Sequence, residues 1–238
     1  MNLKIRAPFF FIEDFPEAEQ RPVHYIISNI SSAIAIVDHF QHSLELFIEA
    51  RARREVARKS LHAITHTQDR RQSEDLELLS KKMKSWIEMS ARQGAMLAYS
   101  CEQLRQKDSS LFPLCPTFYS GVDKALLKES RIIFQKAFPS IAKVRLPAAH
   151  PFEHGSSPKD VDSHAAQDLI EFPIHDEYLG LPMIDSKISV CGEELQYHST
   201  VKGQLVGYTL SKNTLKMLFE SVRTYALAFG QLDHSACE

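Results

Sequence analysis

Residues 22–50 read PVHYIISNISSAIAIVDHFQHSLELFIEA, and the spacing of their apolar side chains decides the fold. Ile27, Ile30, Ile34, Val37, Leu44 and Ile48 recur at steps of three and four, with Gln41 interrupting. That period puts them on one face of a long α-helix. Pro22 suits its start, since a first-turn residue has no intrahelical use for the missing N–H. Beyond Ile48 the stripe dilutes into Arg51, Arg53, Arg54, Arg58 and Lys59, with Glu55 in opposition. Five cations in nine residues can be a solvated helix end that complements the C-terminal dipole. They can equally be a patch that contacts phosphates, such as those of RNA.

Working outward from this helix, residues 1–21 hold several phenylalanines among prolines and acids and read as an N-terminal arm. It is expected either to lie across the core or to bind a partner, since exposed aromatic rings call for cover. On the other side, Thr65-His66-Thr67-Gln68-Asp69 reads as a turn. His62 and His66 stand at i, i+4, a spacing that could hold a metal from one helical face. With no third ligand in view, they are read as surface residues and no metal is expected. Ser73 is the candidate cap of a second helix over 73–107, whose stripe is Leu76, Leu79, Met83 and Trp86, then Leu97, Cys101 and Leu104. Gly94, with Ala91, Ala95 and Ala98 nearby, is expected where another helix comes close. The two stripes joined by a short turn make an antiparallel helical hairpin. A third helix is expected over 122–138, stopped by Pro139, and a short fourth piece from Ile141 to about Leu146.

Residues 151–182 carry four prolines, two glycines and three histidines without a sustained period, which reads as a linker. After it the period becomes two. Residues 187–190, 194–201 and 204–210 read as an antiparallel meander, and Ser211 caps a last helix whose Leu218, Val222 and Tyr225 are expected on the sheet. The fold class is therefore mainly α. It is an antiparallel helical bundle with a small C-terminal three-stranded antiparallel β-meander covered by a helix, α+β overall. The corresponding divisions are an arm (1–21), the bundle (22–155), a linker (156–182), the meander with its helix (183–230) and a tail (231–238).

A net charge of -2 excludes a wholly basic nucleic-acid binder but leaves room for the local patch at 51–59. Cys101, Cys115, Cys191 and Cys237 form no CxxC pair, so neither zinc nor redox chemistry is read from them. The apolar run Phe9-Phe10-Phe11-Ile12 is cut short by Glu13 and Asp14 and is not read as an export signal. With no stretch of membrane-spanning length, the expected setting is the cytoplasm, with the thiols free and buried. No phosphate-binding glycine loop, nucleophile elbow, HExxH or EF-hand pattern occurs, so no cofactor is expected.

What remains is Arg145-Leu-Pro-Ala-Ala-His150, late in the bundle. Arg145-x4-His150 resembles the Arg-x(4–6)-His motif of the HEPN superfamily, over roughly residues 22–155. The resemblance implies a metal-independent endoribonuclease or an inactive relative, and a homodimer in which two motifs meet. It makes His150 the proton-transfer group at the attacking 2′-hydroxyl and Arg145 the holder of the phosphate. The residue after the arginine, commonly polar in that family, is Leu146 here. Pro147 and Pro151 bear on the geometry, since Pro151 pushes His150 away from helical backbone angles. The alternative is a helix-terminating loop in a non-enzymatic interaction or dimerisation module.

Overall fold

In a computed structural model of the chain, residues 4–64, 70–149, 177–180, 186–201 and 204–230 are described. The first helix, α1, spans Glu17–Ile64. It begins ahead of Pro22 because the Pro16 carbonyl already accepts from the Glu19 and Gln20 amides, at 2.7 and 3.2 Å. Residues 17–21 of the expected arm are thus helical, and Pro22 sits inside α1. Its buried line is Val23, Ile26, Ile30, Ala33, Val37, Phe40, Leu44 and Phe47. Ile27, Ile34 and Ile48 flank that line half-buried. The true stripe is therefore rotated from the one read in sequence, and Phe40 carries it past Gln41.

Helix α2 spans Arg70–Leu111, so Ser73 lies within it and is not its cap. Met83 and Cys101 are buried as expected, whereas Leu79 is exposed. Three shorter helices follow, α3 (Pro116–Ser120), α4 (Lys124–Ala137) and α5 (Ile141–Ala149). Asp123 caps α4, its carboxylate accepting from the Ala125 and Leu126 amides at 2.8 and 3.1 Å. The three expected strands are present as β2 (Ser186–Cys191), β3 (Glu194–Val201) and β4 (Gln204–Leu210). A fourth, β1 (Glu177–Gly180), comes from the stretch read as linker, and the antiparallel order is β1-β2-β3-β4. The last helix, α6, spans Lys212–Leu227. No described helix is long and apolar enough to cross a membrane.

The chain forms two compact units. The first gathers Met1–Phe40, Leu97–Pro139 and Asn213–Glu238. Its core joins Phe10, Val23, Ile26 and Ile30 to Phe112, Phe118, Tyr225 and Phe229. The Phe118 ring stands edge-on to Phe10 and Phe15 and stacks on Phe229. Buried Glu19 of α1 accepts from the Thr117 and Phe118 amides, both at 3.2 Å, so it caps α3 from another helix. Burial pushes this carboxyl up, but hydrogen bonds from the Thr117 side chain and from the Phe118 and Thr117 amides outweigh it and hold it below its ordinary range.

The second unit gathers Gln41–Met96 and Ser140–Lys212, and so contains the whole described sheet. Leu195 and Tyr197 of β3 and Val206, Tyr208 and Leu210 of β4 alternate inward, as one buried face requires. Gly192, at a φ of 54°, makes the tight β2–β3 turn. Helix α5 packs on β3 and β4, and the Tyr208 hydroxyl donates to the Ala91 carbonyl of α2. The close neighbour expected at Gly94 is thus a strand residue and not another helix. A Cβ on Gly94 would stand 2.5 Å from the Tyr208 hydroxyl oxygen.

The expectation that Tyr225 points at the sheet is corrected. Its hydroxyl donates to Asp108 of α2, in the first unit. Sequence period identified the buried face of α6 but carried no information on which polar group would receive that hydroxyl. Among the cysteines, Cys101 and Cys115 are buried free thiols, but Cys191 is exposed where β2 ends at its turn. Cys237 lies outside the described residues, as do the expected loop histidines His154, His164 and His175.

Gly94→Ala provides a test of this packing. Helix propensity alone would stabilise the variant by up to about 1 kcal/mol. Overpacking against Tyr208 should instead destabilise it by about 1–3 kcal/mol. In a Tyr208→Phe background, where the nearest atom to the new methyl is Leu210 Cδ1 at 3.3 Å, urea unfolding should show that penalty largely removed.

Candidate functional site

The late turns of α1 carry the cations singled out in sequence, and the helix spreads them by about 100° per residue. Arg53 pairs with Glu49 at 2.5 Å and Lys59 with Glu55 at 3.3 Å, both one turn apart and exposed. Such pairs contribute a few tenths of a kcal/mol each and leave the cations accessible. Arg51 donates to the Gly192 carbonyl, so it serves the β2–β3 turn as well as any ligand. Arg54 is half-buried. Arg58 and Lys59, with Glu55, Leu61 and His62, line an open concavity of about 570 Å³. Five cations against Glu49 and Glu55 leave three positive charges along this segment.

Arg145 lies on α5 with its side chain exposed. The helix continues through Pro147 to Ala149, three residues past its expected end. His150 lies outside the described residues, as does His66, the partner expected for His62. Arg145 and the 51–59 segment belong to the same unit. Among the described residues, no group of three or more histidines, cysteines and acids could hold a metal ion.

A second polar constellation was not foreseen from sequence. Asp108 of α2, fully buried, accepts from Asn29 Nδ2 of α1 at 2.6 Å and from the Tyr225 hydroxyl of α6. One turn earlier, Arg105 donates from Nη2 to Ser221 Oγ at 2.7 Å and from Nη1 to the Ser130 carbonyl at 3.5 Å. Ser130 and Ser221 bond reciprocally, each hydroxyl donating to the other's carbonyl, at 2.8 and 2.7 Å. The sequence signal was present. Cys101, Arg105 and Asp108 continue the three-and-four spacing of the buried line Met83, Ile87, Ala91, Gly94 and Ala98. Two charged residues on an apolar stripe mark a polar core.

Burial pushes the Asp108 carboxyl up to about 6, against the opposing effects of Asn29, Tyr225 and the Arg105 charge. Burial likewise raises Tyr225 well above the ordinary phenol, with the Asp108 carboxylate adding to it. The Cys101 thiol is raised by burial too.

No family model, curated protein or solved structure matches the chain.

The raised Asp108 value sets a pH dependence. The carboxyl titrates at 3.8 when unfolded and about 6 when folded. The folded state therefore holds the proton more tightly, and this stabilisation is complete below pH 3.8 and lost as pH rises through 6. The shift corresponds to about 3 kcal/mol. Urea unfolding of wild type and Asp108→Asn from pH 4 to 7 checks it. The stability of wild type relative to the variant should fall by about that amount with rising pH, and a pH-independent difference would contradict it.

Proposed function

We propose that the chain is a HEPN-like cytosolic protein that engages RNA through the late turns of α1 and acts as a homodimeric, metal-independent endoribonuclease. The observation that carries the reading is the open concavity lined by Arg58, Lys59 and His62. Exposed Arg145 stands in the same compact unit. Cations in a concave surface concentrate positive potential, and phosphates released from their counterions are the natural occupants. In this reading Arg145 holds the scissile phosphate with a fixed fork of donors, and His150 moves the proton of the attacking 2′-hydroxyl. The homodimer brings two Arg145/His150 motifs together.

A second reading has its own observation. Phe10 is buried in the first unit, while Phe9 and Phe11 are 53% and 51% exposed with their rings 5.2 Å apart. Two adjacent exposed aromatic rings are the kind of anchor a protein interface uses. This favours a non-enzymatic interaction or dimerisation module built on the same bundle.

Titration with a fluorescent single-stranded RNA tests the first reading. Affinity should fall by close to one power of salt per phosphate contacted, and Arg58→Glu with Lys59→Glu should weaken it uniformly across sequences. His150→Ala should leave binding intact and lower cleavage by a factor of about 10²–10⁴. No binding at low salt would remove the RNA reading. Binding without cleavage in wild type would reduce it to an inactive relative.

A further inference from the structure

Arg105 is 9% exposed and is one wall of a cavity of about 250 Å³ formed by α2, α4, α6 and the turn at Phe112. A guanidinium carries donors and no acceptor, so it needs acceptors around it. Yet the hydrogen-bond acceptors it has are neutral, a serine hydroxyl and a carbonyl at 3.5 Å. Its Nε–H is buried with no acceptor among the described residues. Asp108, the neighbouring acid, uses one oxygen for Asn29 and the other for Tyr225. The ring centroids of Phe134 and Tyr225 stand 4.9 and 5.3 Å from the guanidinium carbon. Aromatic faces compensate a buried cation only in part, and a carboxylate fork is what a guanidinium fits best.

We propose that this cavity binds a small organic monocarboxylate, its carboxylate on Arg105 and its apolar body between Phe112, Leu127 and Tyr225. The volume is below that of most drug-sized pockets, which limits the ligand to a fragment. Phe112, Leu127 and the Tyr225 ring supply the apolar lining that such a body needs. Exposed Arg131, also on the wall, adds attraction for an anion. Glu102 on the same wall opposes a second negative charge, which favours a monocarboxylate over a dianionic phosphate. All these residues belong to the first unit, apart from the cations proposed for RNA.

Calorimetric titration of the full chain with sodium benzoate and with benzamide, which has the same shape but no charge, tests the assignment. Benzoate should bind saturably at millimolar concentration or below, at least about tenfold more tightly than benzamide. Arg105→Gln should lose this preference. Because removing Arg105 also removes buried bonds to Ser130 and Ser221, Ser109→Trp serves as the second variant. Ser109 lines the cavity from an exposed position on α2, so tryptophan there should block benzoate while keeping the parent's melting temperature. Equal binding of benzamide, undiminished benzoate binding by the Ser109→Trp protein, or no binding up to about 10 mM would each overturn the proposal.

Discussion

Asp108 is the group on which the first unit turns. One buried carboxylate receives Asn29 from α1 and Tyr225 from α6 while riding on α2, so three helices distant in sequence share a single acceptor. A buried carboxylate is costly unless its lone pairs are used, and here both oxygens are. The Arg105 guanidinium, one turn away, and the reciprocal Ser130–Ser221 bonds bring α4 into the same cluster. Removing one member leaves the others buried without partners, which costs more than the net worth of any single bond. Register among these four helices is thereby tied to polar geometry as well as to apolar packing.

In the second unit small side chains play the corresponding part. Ala91, Gly94 and Ala95 leave a shallow stripe on α2, and at Ala91 and Gly94 the Tyr208 ring of β4 fits against it. The glycine's conformational cost in mid-helix is offset by a buried tyrosine whose hydroxyl finds a carbonyl. Within this unit α5 packs on β3 and β4, and Tyr208 of β4 packs on α2.

Much of the architecture was legible because period and breakers are local properties. Steps of three and four marked α1 and α2, Pro139 ended α4, and the change to a period of two with Gly192 marked the meander. The errors share a cause. Leu79 sat on the expected stripe and is exposed, whereas Phe40 and Phe47 were outside it and are buried, because the stripe's exact rotation depends on what packs against it. Tyr225 was placed on the sheet because period reveals a buried face and not its partner. The buried cluster was not read from sequence because the expected helix ends at 107, one residue short of Asp108, and its stripe was drawn through apolar residues alone. For the motif, Arg145 is exposed on a helix that passes Pro147. Chain chemistry alone set no orientation for it relative to His150.

The measurement that reaches the centre of this account is the protonation of Asp108 itself, followed through its side-chain carboxyl carbon by NMR as pH is varied. A buried acceptor shared by Asn29 and Tyr225 beside Arg105 should titrate near 6, with the Tyr225 ring signals moving in step. A midpoint at the ordinary 3.8 with the Tyr225 ring signals unmoved through it would contradict the three-helix junction.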